Sequence, residues 1–566
     1  MSHAGTIPTD DELIASADAG MLLDLLETEV DHDSPDSLLN RAAALHNAGR
    51  FDLLGEKSFA AIDRLAGRDF FNAQQLMGDL IPKLTAPLAD MMAMVKYLVQ
   101  KGGADGFAGF PLQAFKAWLS KDHTRAENIL ESFRVGTSED AGYLAAALEV
   151  RGDPTLVFPF LAFDDSRRQF ATSALGAIQP ADDATAAVAL AKILPLAQAD
   201  PHDMTRFTAI FTAWEILKHV PHLAPIWTPL FVAAVQANPT NQTVEAMLQG
   251  LWRRTNLFDD QAVTDSLDIA MAADLSNERL RNLLVIVLGH LIKPPHDAKA
   301  LAHLTTLLGQ GLIDMGKNGS ILHRFHAMGQ QQVFDLVVRW LGTGNPMLCE
   351  AAVAITVKAG QGAPFVADLS AAGLSSDEIV ALAYRAVGWF FIHPTTAASV
   401  IVAGLRLKDA KATPILTKLL YFPLLLNYLG SVQDYLKTIK RGDAAWAPAR
   451  KALKQAADYV KGLETKGPIK ELLPSDYQVS ISRERRMEMN RDMHKQVRKE
   501  SVLLSLVHQS TILYGRSTMT YVRGADNPPM TMDMHAYSHS VEVPRLDVLD
   551  PVSLSWMLWR FRMARP

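Results

Sequence analysis

The chain has 566 residues and a mass of 62.0 kDa, with 49% hydrophobic and 20% charged residues. It is too long for one ordinary core and too apolar to be disordered throughout. Its 55 Lys and Arg against 61 Asp and Glu leave a formal charge of -6, which argues against coating nucleic acid by charge alone. A single cysteine, Cys349, excludes disulfide frameworks and multi-cysteine zinc sites within one chain.

From the start, Met1 to Gly20 carries Asp10, Asp11, Glu12 and Asp18, with neither a basic start nor an apolar core. That is not a secretory leader, and with the lone cysteine it predicts a cytoplasmic protein. Residues 1–150 read as a helical region with blurred repeats, or a cap. Leu38 to Phe51 has the Ala-rich helix and Gly-containing turn of a helical hairpin.

Beyond residue 150 a repeat emerges. Asp153-Pro154 opens a predicted helix through Leu156, Val157, Phe160 and Leu161. A turn at Asp164-Asp165 follows, and then Ser166-Arg167-Arg168 leads into Ala171, Ala174, Leu175, Gly176 and Ile178. Aligning second helices on Gly176 gives Glu215, Gly250 and Gly289, at spacings of 39, 35 and 39 residues. Arg281 to Gly289 repeats the pattern, with weaker copies at Gly329, Thr356 and Gly388. These units resemble HEAT repeats, whose second helix commonly opens with Asp and Arg and continues into Ala, Leu and Gly. The resemblance implies helix-turn-helix units of about 35–40 residues, an armadillo-like architecture shared by many unrelated functions. Repeats are expected over 151–462. Arg167, Arg168, Arg206, Arg279 and Arg281, near the starts of second helices, are expected to pair with a turn Asp more than to line a binding face.

Ala386 to Gly404 carries no Asp, Glu, Lys or Arg, but His393 and Pro394 interrupt it. Leu419 to Gly430 is short and contains Pro423 and Asn427. Both predict buried repeat helices, since a spanning helix needs about 20 predominantly apolar residues.

A linker is predicted over 463–480, from Gly467-Pro468 and Pro474-Ser475-Asp476. A C-terminal module over 481–566 follows. It has a long charged helix, from Ser482 to Tyr514, with Met489, Met493 and Val497 as the stripe that would dock it. A β-hairpin carries Met530, Met532 and Met534 on one face, and Ser553 to Phe561 closes as a short helix. Residues 474–566 hold 13 Lys and Arg against 10 Asp and Glu, while the first 473 hold 42 against 51.

Chemical motifs give little. Gly311, Gly316 and Lys317 have phosphate-loop spacing, but Asn318 stands where magnesium needs a hydroxyl. Any metal ligands would come from His, Asp and Glu. His323 with His326, and His535 with His539 beside the Met stripe, are weaker as ligand sets than as packing. Cys349 sits in an apolar helix and reads as an inert buried thiol. No catalytic group, cofactor or metal is assigned.

The sequence therefore predicts an all-α solenoid of HEAT-like hairpins with a small C-terminal α+β module. The expected function is a non-enzymatic scaffold or adaptor that binds a protein partner and organises a complex. The partner-binding candidates are Arg483, Arg486, Arg491, Lys495, Arg498, Met530, Met532, Met534, Trp556 and Trp559, because interfaces favour Arg, Met and Trp. One alternative is a nucleic-acid-associated protein using the solenoid groove and the basic helix 482–500. Another is an enzyme whose site is assembled from dispersed residues. No membrane contact and no small-molecule substrate are expected.

Overall fold

The computed structural model describes residues 8–26, 37–103, 109–136, 141–163, 166–360, 364–365, 368–465, 474–500, 509–514, 517–522, 530–533 and 542–566. Helices dominate, and the chain divides into two compact units, Met1–Thr306 and Leu307–Pro566.

The first unit begins with helices from Asp10–Asp18 to Gly142–Arg151. Its repeats are α1 (Ser166–Ala177), α2 (Asp183–Ala199), α3 (Asp203–His219), α4 (Ala224–Ala237), α5 (Asn241–Arg253), α6 (Asp260–Ala272) and α7 (Glu278–Leu291). Helices α1, α3, α5 and α7 pack in succession as one layer, and α2, α4 and α6 form a second. Gly142–Arg151 also packs on α1, so the boundary expected at residue 150 falls inside this unit.

Several of these helices start where a polar side chain satisfies a free N–H group. Asp182 accepts from the Thr185 N–H at 2.8 Å, Asp259 from Ala262 at 2.7 Å and Asn277 from Leu280 at 3.2 Å. The buried faces follow helical spacing: Val244, Met247, Leu248 and Leu251 on α5, and Leu280, Leu284, Val287 and Leu291 on α7.

The small residues that mark the repeat sit where consecutive helices touch. A Cβ on Gly176 would lie 3.3 Å from the Thr212 hydroxyl, which itself donates to the Thr172 carbonyl at 3.0 Å. A Cβ on Gly250 would overlap the indole of Trp214, which is fully buried and donates Nε1–H to the Ala246 carbonyl at 3.1 Å. Not every mark holds: Gly329 precedes a helix instead of lying inside one.

The arginines near second-helix starts tie elements together. Arg168 donates to the buried Asp200 carboxylate at 2.6 Å and to the Leu161 carbonyl at 3.1 Å. Arg167 donates to the Phe133 carbonyl and stacks over Phe163, and Arg281 donates to the Leu275 carbonyl. Arg206 pairs with Asp203, and exposed Arg279 pairs with Glu245 across to α5.

One expected helix takes another form. Residues 154–162 make two 3-10 turns, Pro154–Leu156 and Phe158–Ala162. Pro159 has no N–H to give, and its ring crowds the carbonyl four residues back, so a continuous α-helix is disfavoured in this segment.

The second unit contains α8 (Gln330–Thr343), α9 (Ser376–Trp389) and α10 (Trp446–Glu464) among its packed helices. After α10 comes α11 (Asp476–Glu500), so helices enter the expected linker 463–480 from both ends. Strands β1 (Gln509–Tyr514), β2 (Ser517–Val522) and β3 (Met530–Asp533) pair antiparallel in that order, Tyr514 opposite Ser517 and Ser517 opposite Asp533. The long helix expected to reach Tyr514 thus ends earlier, and Gln509–Tyr514 is extended. Thr511, Ile512 and Tyr514 are residues that strands favour. The last helix, α12 (Pro551–Arg562), follows a short one at Arg545–Leu549.

Among the described residues no single helix is long and apolar enough to cross a membrane. The consecutive helices Asp203–His219 and Pro221–Ala237 reach that hydropathy only together, and the chain bends by 119° between them.

A matched pair of substitutions in the first unit tests the close-approach argument. Gly250→Ala puts a methyl group into the Trp214 ring and should cost about 1–3 kcal/mol, the range for overpacking. Gly78→Ala, in a helix with nothing within 4 Å of the new methyl, should instead gain about 0.5–1 kcal/mol. Urea unfolding of the two variants is the measurement.

Candidate functional site

Of the ten candidate residues, Trp556 and Trp559 are brought together on one surface. They lie on α12, which packs against α9 within the second unit. At 100° per residue, Leu554, Leu558 and Phe561 fall on one side of α12, and Val552, Trp556, Trp559 and Met563 within about 60° on the other. The first side is docked. Leu554 is buried, and the Phe561 ring lies 4.9 Å from that of Tyr384. The second side faces out: Val552 is 78% exposed, Trp556 and Trp559 58% each, and Met563 49%.

Polar ties hold α12 in this orientation. Arg562 donates Nε–H to the Gly388 carbonyl at 2.8 Å and sits 4.8 Å from the Trp389 ring centre. Arg385, on α9 and buried, donates Nε–H to the Ala564 carbonyl at 2.8 Å. Its Nη1 donates to Leu341 and Gly342 at 2.8 and 2.7 Å. These last two carbonyls belong to the final turn of α8, where helices leave acceptors without partners. Gly388 makes the contact fit, because a Cβ there would lie 2.8 Å from the Arg562 nitrogen and 3.1 Å from the Leu558 carbonyl oxygen.

The chain just before α12 is fastened as well. The Glu542 carboxylate accepts from the Gly430 and Ser431 N–H groups at 2.6 and 3.0 Å and from the Ser431 hydroxyl at 2.7 Å. The Leu546 N–H donates to the buried Asn427 side chain at 2.8 Å, and Arg545 lies over the Tyr459 ring. Burial, reinforced by the Glu542 and Asp547 carboxylates, pushes the Tyr428 phenol well above its ordinary pKa. Tyr428 is therefore neutral beneath this segment at any physiological pH.

The remaining candidates lie elsewhere. Arg483, Arg486, Arg491 and Lys495 are exposed on α11, where Lys495 pairs with Asp492 at 3.6 Å. The stripe expected to dock that helix does not do so: Met489 is 67% exposed and Met493 57%. The side chain of Arg498 is outside the described residues, as are those of Met530 and Met532 on β3, and Met534 altogether. Sequence reading missed Val552, Met563, Arg385 and Arg562, and took Gly388 only as a weak repeat mark. The spacing of Val552, Trp556, Trp559 and Met563 was a signal for the first two. The others act through tertiary contacts that no local pattern announces.

Other sites of chemistry are plain. Gly311 has φ +71° after the helix Asp297–Gly309, and Asp314 caps a 3-10 turn at Met315–Lys317, so the phosphate-loop spacing is a connection between helices. Among the described residues no three His, Cys, Asp or Glu side chains group to hold a metal ion. Cys349 is fully buried, and burial pushes its thiol up to about 11. In the first unit, the groove between α5 and α7 is lined by Glu245, Gln249, Glu278, Arg279 and Asn282.

No protein family, curated protein or solved structure matches the chain.

Two outcomes follow from this geometry. Gly388→Leu should lever α12 off α9, so that trypsin cuts after Arg560 and Arg562 much faster than in the parent protein while circular dichroism shows the helices retained. Cys349 should resist a thiol reagent at pH 8 and react only at denaturant concentrations that unfold the chain, because the reactive thiolate is scarce and enclosed.

Proposed function

We propose that the chain is a non-enzymatic, HEAT-like helical-repeat scaffold that binds a protein partner and organises a complex, with α12 as its main docking element. One observation carries this reading: α12 is apolar on two sides, and only one of them is covered. An exposed stripe of two Trp, a Val and a Met on a single helix is composition that interfaces favour and that free surfaces mostly avoid. Because Arg385, Arg562 and Glu542 already fix the helix, little further ordering is required on binding, which favours affinity. Within its own unit, α8 and α9 supply the support that holds such an element in place. The lone cysteine, buried and inert, supports a reducing compartment, the cytoplasm, as the setting.

A second reading has its own observation. Helix α11 exposes Arg483, Arg485, Arg486, Arg491 and Lys495, a surface that an acidic partner or nucleic acid could use. The groove between α5 and α7, with Glu245 and Glu278 beside Arg279, lacks the continuous basic track that a phosphate backbone demands. This favours the protein reading over nucleic acid in that groove.

The test is affinity capture from cell extract with the full chain, the double variant Trp556→Ser/Trp559→Ser, and a deletion of 476–500. The Trp variant should stay folded and lose its specific protein partners, while the deletion keeps them. Loss of capture in the deletion alone would transfer the docking role to α11.

A further inference from the structure

We propose that the exposed seam of α12 pairs side by side with one helix of a partner protein, an amphipathic helix that carries acidic residues beside its own apolar seam. This rests on the reading of α12 as the docking element and names the kind of partner it takes. The first ground is spacing. Val552, Trp556, Trp559 and Met563 stand 4, 3 and 4 residues apart, the alternation that keeps one stripe of a helix facing a second helix. The seam is a convex ridge on a helix pinned from behind, which suits a partner helix lying alongside it. The two indoles are large knobs, so the facing helix would offer small residues opposite them.

The second ground is charge. From Pro551 to Pro566 the chain has Arg560, Arg562 and Arg565 and no Asp or Glu. Arg560 flanks the seam directly, its guanidinium 4.7 Å from the Trp556 ring centre. Positions beside a helical seam select the partner by charge. Acidic residues opposite Arg560 attract, and basic ones repel. Two copies of α12 laid seam to seam in parallel would bring Arg560 beside Arg560, and an antiparallel pair would leave each Arg560 opposite Ser555, without the acidic partner that a second protein could offer. At the other end of the ridge, exposed Asp547 and Asp550 oppose an anionic lipid surface.

Synthetic helical peptides test this against the full-length protein. One has three heptads with Leu and Ala in the seam and Glu at the flanking positions; a second is identical but has Lys at those flanks. Fluorescence anisotropy of the labelled peptides should show saturable binding of the Glu peptide and at least about tenfold weaker binding of the Lys peptide. Arg560→Glu, an exposed change that leaves the docked face of α12 intact, should reverse that preference. Trp556→Ser/Trp559→Ser should abolish binding of both peptides.

Four results would overturn the inference: failure of the Glu peptide to bind, equal binding of both peptides, a preference unmoved by Arg560→Glu, or binding unmoved by the Trp changes. So would a dimer of the parent protein in sedimentation that Trp559→Ser dissolves, which would make a second copy the occupant. Co-sedimentation with phosphatidylserine vesicles, lost in the Trp variant, would point to lipid instead. If the Trp variant loses protein capture while the peptides are not discriminated, only the partner's chemistry is wrong and the docking reading stands. If capture survives the Trp changes, the docking reading itself fails.

Discussion

Where Gly250 meets the Trp214 indole, two helices come so close that a single methyl group would not fit between them. Interiors are packed about as densely as organic crystals, so such a contact tolerates neither a void nor an added atom. The contacts of α1 with α3 and of α3 with α5 are two such approaches. They differ in chemistry: Gly176 accommodates a threonine that hydrogen-bonds across, and Gly250 accommodates an indole that does the same. In each case the small residue brings a polar donor within reach of a carbonyl on the neighbouring helix. The same device recurs in the second unit at Gly388, where the neighbour is α12.

Arginine supplies the second kind of tie. Arg168 reaches a carboxylate, Asp200, that is wholly out of water. Removing either partner of such a pair typically costs about 3–5 kcal/mol, because the other charge is left stranded. Arg385 works differently, since its partners are carbonyls: two at the end of α8 and one beyond α12. Free carbonyls at a helix end carry the negative pole of the backbone dipole, so a buried cation is well placed there. One side chain thus completes a helix terminus and holds the segment that presents Trp556 and Trp559.

Much of this was legible in the sequence, for identifiable reasons. The repeat phase could be read at Gly176 and Gly250 because close helix contacts demand small residues, and these two stand at the same place in their units. It failed at Gly329, where a glycine serves a helix start and only resembles a packing mark. The helix expected through Leu156 and Phe160 failed on Pro159, a local constraint that apolar spacing alone concealed. The sequence predicts a helix as far as Tyr514 because Thr511, Ile512 and Tyr514 follow an apolar run without a break; pairing with Ser517–Val522 decides the outcome for Gln509–Tyr514. Trp556 and Trp559 were evident as exposed candidates. That α12 is held from behind by Arg385 and Gly388 depends on residues more than 170 positions away in the chain, and local patterns hold no record of such distances.

The Glu542 anchor has a consequence for how the chain can vary. It ties residue 542 to Gly430 and Ser431, so the stretch between the end of α10 and Glu542 is held at both ends within the second unit. The entropy of closing a flexible loop grows only with the logarithm of its length, about 0.6 kcal/mol for each doubling. By closure entropy alone, a change in the length of that stretch would weigh little on the seating of α12. The ridge of α12 is thus seated by ties that α11 and the three-stranded sheet do not supply: Glu542, Asn427 and Arg385 hold it from residues outside that stretch.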